Sequence, residues 1–142
     1  MGEVYTDITI ENAVDVIFTE YNINPEQGIR RMDINVLVDT GASTLFINET
    51  MREHLGLKIT GEKMVRLAND VQAKVLSTEP VIIHWKDRES VCRPWFFSGN
   101  CEALLGAIPL EDMDLIVDPN RGEVIGAHGN ENIGKAVGVR QI

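Results

Sequence analysis

The feature that most narrows what this chain can fold into is a two-residue alternation of apolar and polar side chains, held in short runs that turn-forming residues separate. Thr6-Asp7-Ile8-Thr9-Ile10, Val14-Asp15-Val16-Ile17-Phe18 and Met32-Asp33-Ile34-Asn35-Val36-Leu37-Val38 each send successive side chains to opposite faces, the pattern of a half-buried strand. Asn22-Ile23-Asn24-Pro25-Glu26-Gln27-Gly28 breaks the last two apart with residues that favour turns. Three strands are predicted here. Four more are predicted over Lys63 to Leu67, Gln72 to Leu76, Pro80 to Trp85 and Ser90 to Phe97, joined by turns at Asn69-Asp70 and Lys86-Asp87-Arg88-Glu89. Many short strands at even spacing predict a mostly β fold that is closed or sandwiched, since closure buries the apolar face and removes unpaired edges.

Helical signals are few. Asn48 can cap a helix of about two turns through Glu49, Thr50, Met51, Arg52, Glu53, His54 and Leu55, and Gly56 can end it in the left-handed conformation. A single helical turn is predicted over Pro109 to Met113, because proline suits a helix start and Glu111 and Asp112 its positive end. Leu115-Ile116-Val117 and Glu123-Val124-Ile125 flank the turn Asp118-Pro119-Asn120-Arg121-Gly122, a hairpin signal. Beyond it, residues 126–142 carry Gly126, Gly129, Gly134 and Gly138 without a clear period and are expected to form a flexible tail. A chain of 142 residues has the length of one core, so the domain is expected to span residues 1–125, with no internal repeat.

Composition excludes several classes of function. The formal charge of −9 argues against nucleic acid, whose non-specific affinity comes from Lys and Arg displacing counterions. No apolar stretch approaches the roughly 20 residues of a membrane span, and the start Met1-Gly2-Glu3-Val4-Tyr5-Thr6-Asp7 is acidic, so neither a membrane nor export is expected. Met1-Gly2 with Thr6 reads as a chance match to an acylation signal. Cys92 and Cys101 lack metal or redox spacing and read as reduced thiols of a cytoplasmic protein. His54, His84 and His128 lie far apart outside any zinc motif, and the acidic run Glu111 to Asp114 lacks calcium-loop spacing, so no metal and no cofactor are expected. Trp85, Trp95, Phe96 and Phe97 are expected in core or dimer packing.

One segment carries chemistry. Val36-Leu37-Val38-Asp39-Thr40-Gly41-Ala42-Ser43-Thr44-Leu45-Phe46-Ile47 places a carboxylate at a turn between two apolar strands, where an apolar setting disfavours its ionised form and Gly41 permits close backbone approach. The tripeptide Asp39-Thr40-Gly41 by itself is also compatible with a plain turn. Its setting goes further: apolar strand, Asp39-Thr40-Gly41-Ala42, apolar strand, then Leu104-Leu105-Gly106 before a short helix. In that order the chain resembles the retropepsin-like aspartic proteases over about Tyr5 to Ile125, and most of all their single-domain bacterial members, which share features like Leu55-Gly56-Leu57 and Asp118-Pro119.

The resemblance implies a retropepsin-like closed β-barrel with one or two short helices, one lobe per subunit. It implies that Asp39 is the catalytic aspartate, that Thr40 bonds across a dimer axis, and that Gly41 presents its backbone to substrate. Ser43 and Ala107 stand where the viral enzymes carry an Asp and an Arg that pair, so both charges are missing together, and Ala107-Ile108 with Ser43 are expected beside the substrate. Met64 to Val75, with Asn69 and Asp70 at its tip, resembles the hairpin flap that covers substrate, a plain surface hairpin being the other reading. Hydrolysis by carboxylates alone needs two, one to take a proton from water and one to give a proton to the carbonyl oxygen. With one such turn per chain, the expectation is a homodimer acting on a peptide or protein. The alternatives are a non-catalytic protease-like domain for dimerisation or peptide binding, and a structural β-barrel.

Overall fold

The computed structural model describes residues 2–97 and 99–129, and within them nine strands form one sheet. The alternating N-terminal runs become β1 (Tyr5–Asn12) and β2 (Arg31–Val38), antiparallel with Ile8 opposite Ile34 and Thr6 opposite Val36. β1 also pairs with β6 (Val81–Trp85), which forms a hairpin with β7 (Arg88–Cys92). On the other side lie β3 (Leu45–Ile47), β8 (Trp95–Phe96) and β9 (Leu104–Leu105), then the hairpin of β4 (Ile59–Arg66) and β5 (Gln72–Thr78). The order across the sheet is β4-β5-β8-β3-β9-β2-β1-β6-β7. The inward residues Ile10, Val36, Leu45, Ile47, Ile83 and Leu105 are fully buried in one core, as period-two alternation on a one-sided sheet requires.

The sheet curls without closing its ladder, so β4 and β7 remain edges; the sequence had pointed to a closed barrel. The predicted strand over Ser90 to Phe97 is two, β7 and β8, because Pro94 has no N–H for a ladder. β10 (Leu115–Asp118) and β11 (Glu123–Gly126) form the predicted hairpin as a separate two-stranded ribbon.

A larger correction concerns Val14 to Phe18, read as a strand. It lies in a helix, α1 (Ala13–Glu20). The Asn12 side chain accepts from the Asp15 N–H at 3.1 Å, capping the first turn. Asp15 is itself buried, and Arg30 meets its two oxygens with two donors at 2.9 Å each. These polar contacts outweigh the strand preference of β-branched Val14, Val16 and Ile17, and Ile17 and Phe18 are left exposed. The guanidinium beside Asp15 holds its carboxyl below the usual carboxylate range.

The second helix, α2 (Glu49–Leu55), follows its sequence signals closely. Asn48 accepts from the Met51 N–H at 2.9 Å, and Gly56 ends the helix at φ 64°. α3 (Ala107–Asp112) starts two residues before the predicted turn, with Gly106 as its cap and Pro109 within its first turn, where no N–H is needed. There are thus three short helices among the described residues rather than one or two.

Arg88, expected in a polar turn, is almost wholly buried at the start of β7. Its guanidinium donates to the carbonyls of Met113 (3.0 Å), Asp114 (2.7 Å) and Gly129 (2.8 Å), tying the β10–β11 ribbon to the sheet. The Ala127 N–H donates to Asp114 O at 2.8 Å. The rest of the expected tail, residues 130–142, lies outside the described residues.

Candidate active site

β2 ends at Val38, and the chain turns sharply before re-entering the sheet at β3. What holds that turn is β9, two residues long, inserted between β2 and β3: Val38 pairs with Leu105 in parallel, and Leu45 pairs with Leu105 antiparallel. The Asp39 N–H donates to Leu105 O (3.0 Å) and the Ala42 N–H to Asp39 O (3.0 Å). The Ala107 and Ile108 N–H groups at the start of α3 donate to the Ala42 and Ser43 carbonyls at 2.8 and 3.0 Å. Every backbone group named here has a partner, so the turn is fixed on both flanks.

Gly106 makes this clasp sterically feasible. A Cβ there would lie 2.5 Å from Thr44 O, 2.6 Å from Ala42 O and 2.7 Å from Thr44 N, all backbone atoms. The Leu104-Leu105-Gly106 string is therefore a packing requirement of the Asp39 turn, met only by a residue without a side chain.

Within the turn, the Gly41 N–H donates to Asp39 Oδ1 at 2.9 Å. A Cβ on Gly41 would come within 3.2 Å of that same oxygen. The carboxylate is thus oriented by its own turn, as a side-chain mimic of a backbone turn. The apolar flanks had suggested an apolar setting for Asp39. The structure corrects this, because in the single chain Asp39 and Thr40 are exposed at the crest of the turn while Leu45 to Ile47 beside them are buried.

Asp39, Gly41, Ala42 and Ser43 form the floor of a groove of about 700 Å³. Its wall is aromatic: Phe46 meets Trp95 edge-on with centroids 5.4 Å apart and stacks on Phe97 at 5.6 Å. Its roof is the consecutive stretch Met64 to Ala68, at the free edge of β4. A second cavity of about 270 Å³ opens on the other side of the turn, between Val38, Asp39, Thr40, Val117 and the N-terminal Gly2 to Val4. The hairpin resembling a flap therefore does overhang the turn that carries Asp39.

Its tip does not. Asn69 and Asp70 lie beyond the groove lining, where the Val71 N–H bonds to Asn69 Oδ1 (3.2 Å) and Asp70 takes φ 67°. Ala107 and Ile108 are likewise absent from the lining and engage the turn through their N–H groups, with the Ile108 side chain exposed. Of the residues expected beside substrate, the structure brings Gly41 and Ser43 to the groove. Sequence reasoning missed Phe46, Trp95 and Phe97 as its wall. Strand parity was the available signal, since Phe46 sits opposite Trp95 and both face the Asp39 side.

Other chemical groups are accounted for locally. Burial pushes the Cys92 thiol up, the opposite of an activated nucleophile, and Cys92 and Cys101 are both free. His84 contacts Glu11, and His128 contacts Asp114. Among the described residues no three His, Cys, Asp or Glu side chains gather to hold a metal, and no helix is long and apolar enough to cross a membrane.

Comparison with known proteins agrees with this geometry. The aspartyl protease family matches residues 23–82, which include the turn and all of the overhanging hairpin. No curated protein matches the chain in sequence. Among solved structures, the equine virus EIAV protease complexed with the inhibitor HBY-793 aligns at 21% identity and TM-score 0.50, covering 78% of this chain and 88% of that one. The retroviral protease-like domain of Ddi1 from Leishmania major aligns at 12% identity and TM-score 0.52, covering 84% of each. A retropepsin-like aspartic protease from Rickettsia conorii aligns at 19% identity and TM-score 0.42, covering 83% of this chain and 89% of that one. The fold is that of the retroviral-type proteases.

Proposed function

We propose that this retropepsin-like chain is an aspartic endopeptidase that acts as a homodimer, each protomer giving one Asp39 to a shared site. The observation that carries the reading is the position of the Asp39 carboxylate, clasped by β9 and α3 on the floor of a peptide-sized groove roofed by an unpaired strand edge. An extended peptide entering the groove can add its backbone to the free edge of β4 while alternate side chains face the Phe46–Trp95–Phe97 wall. That is how a chain is held straight for attack.

The chemistry requires a second carboxylate. In the mechanism, one Asp39 carboxylate takes a proton from water as its oxygen attacks the peptide carbonyl carbon, and the protonated partner gives its proton to the carbonyl oxygen. The tetrahedral intermediate then collapses: the C–N bond breaks as the amine nitrogen takes the proton that the first Asp39 drew from water, and the partner Asp39 takes back a proton from a hydroxyl as the carboxyl product forms. Two carboxylates about 3 Å apart share one proton because both cannot ionise. The sequence holds one Asp-Thr-Gly, so a two-fold axis beside Asp39 builds the pair. Solvent access to Asp39 and Thr40 in the single chain fits a surface that a second copy covers, with Thr40 bonding across the axis. Gly41 and Ser43 then contact substrate backbone, and Asn69 and Asp70 come down with the hairpin. On this reading the domain ends near residue 125 and the following segment adds to the interface, and reduced thiols at Cys92 and Cys101 fit a cytoplasmic protein.

The test is cleavage of an unfolded protein, suppressed by pepstatin and abolished by Asp39→Asn, together with sedimentation of a dimer whose interface buries roughly 2,000 Å². Cleavage that persists in Asp39→Asn overturns the proposal. A second reading is a non-catalytic domain that binds extended peptides. It is favoured by Asp39 being the lone carboxylate that lines the groove among the described residues. Tight peptide binding without turnover at any pH, by a protein that stays monomeric, would select it.

A further inference from the structure

We propose that Lys63 selects substrates with an acidic side chain close to the large apolar residue that packs against Phe46, Trp95 and Phe97. The proposal rests on the groove being a peptide site, and it names what that site prefers. Residues directly opposite in a sheet share a face. Trp95 is opposite both Phe46 and Ser77, so these three share the groove face. Val75 lies two residues from Ser77 on β5, on the same face, and its partner on β4 is Lys63.

Lys63, one residue before the stretch that lines the groove, stands at its rim on the side of the aromatic wall, and its ammonium sits 5.2 Å from the Trp95 ring centroid, within cation–π range. It has no carboxylate within ion-pair distance among the described residues. The other two cations of the hairpin strands are engaged, Lys74 with Glu62 and Arg66 with Asp70, at 3.5 Å each. Arg66 lines the groove with its guanidinium already on Asp70, and Lys74 falls on the opposite strand face from Lys63. Ser43 and Ala107 contribute no charge, and the chain as a whole carries −9. An acidic substrate is therefore repelled by most of the surface, and the Lys63 ammonium is where its carboxylate finds a counter-charge. The indole holds the ammonium over the wall, so the carboxylate it attracts lies next to the apolar side chain in that subsite.

The test uses the full-length wild-type chain and Lys63→Glu with fluorogenic peptides based on a site cut in unfolded protein. Glutamate or glutamine is placed in turn at each position flanking the large apolar residue. At low salt, one position is expected to favour glutamate by about fivefold in kcat/KM, near the ceiling for an exposed ion pair. The preference should fall as salt screens it and reverse in Lys63→Glu. No glutamate preference in wild type, or one unchanged in Lys63→Glu, overturns the proposal while leaving peptide hydrolysis standing. If no peptide is cut, the catalytic reading fails on its own, and the same labelled peptides are compared by fluorescence anisotropy. A glutamate preference in binding that Lys63→Glu reverses then supports Lys63, and equal binding of both peptides refutes it.

Discussion

Replacing Gly106 with alanine isolates the clasp beneath Asp39. The backbone at Gly106 has φ −93° and ψ −176°, which alanine adopts freely, so no torsional strain enters. The added Cβ would stand 2.5 to 2.7 Å from three backbone atoms of Ala42 and Thr44, about 0.8 Å inside ordinary contact. Neither strand can yield alone, because Leu105 is paired on both sides. Overpacking of this kind costs about 1–3 kcal/mol. Displacing α3 from the turn also weakens the bonds from Ala107 and Ile108 to Ala42 and Ser43, at about 1 kcal/mol each. The total is about 3–5 kcal/mol, which lowers the melting temperature of a chain this size by about 10–17 °C. Moving Asp39 by even about 1 Å should cut kcat/KM by about 100-fold. Gly61→Ala is the control, since a Cβ there meets nothing within 4 Å and should shift stability by less than about 0.5 kcal/mol. The assay is thermal unfolding by circular dichroism alongside peptide cleavage. A Gly106→Ala protein that melts with the wild type and the Gly61→Ala control would refute the clasp.

Two further perturbations probe the frame around the site. The Asp15 carboxyl is held below its ordinary value by Arg30, so its stabilising contribution is full above about pH 4 and lost as pH falls through the depressed folded value. Arg30→Ala should cost about 2 kcal/mol at pH 7, a buried-pair loss discounted for the partly exposed guanidinium. In urea titrations its gap from wild type should narrow toward pH 3, and an equal gap at both pH values would contradict the assignment. Arg88→Met strips the donor from the carbonyls of Met113, Asp114 and Gly129 and should cost about 3 kcal/mol, with Arg88→Lys recovering part of it. An unchanged urea midpoint in Arg88→Met would show that the β10–β11 ribbon is held by other contacts.

How much of this could be read from residues alone depended on whether the deciding contact was local. Asn48 and Gly56 act within their own helix, and α2 appears where they place it. β1, β2 and the β10–β11 ribbon follow from alternation and a turn. Val14 to Phe18 misled because V-D-V-I-F satisfies a strand period, while the contact that decides for a helix, Arg30 on Asp15, arrives from 15 residues away. Arg88 looked like a turn cation because its carbonyl partners are at least 25 residues distant. At the site, Asp39 and Gly106 were legible as a pair of motifs. The exposure of Asp39 and the retreat of Asn69, Asp70, Ala107 and Ile108 from the groove depend on how the sheet curls, which no local pattern encodes.

The two-residue β9 also imposes a timetable on the protein. Leu105 follows Val38 by 67 positions, yet with Leu104 it lies between β2 and β3. During synthesis the Asp39 turn can be made early and still hang unfinished, its flanks unpaired, until Leu104 to Ile108 have left the ribosome. Long-range pairings of this sort form late, because the loop must close before the contact can repay it. The β1–β2 pair and the β4–β5 hairpin can form first, and the last closure assembles the floor of the groove. A chain truncated before Gly106 would keep the Asp-Thr-Gly sequence and lack the means to hold it, so on the proposed reading a growing protomer gains its site only once β9 and the start of α3 have emerged.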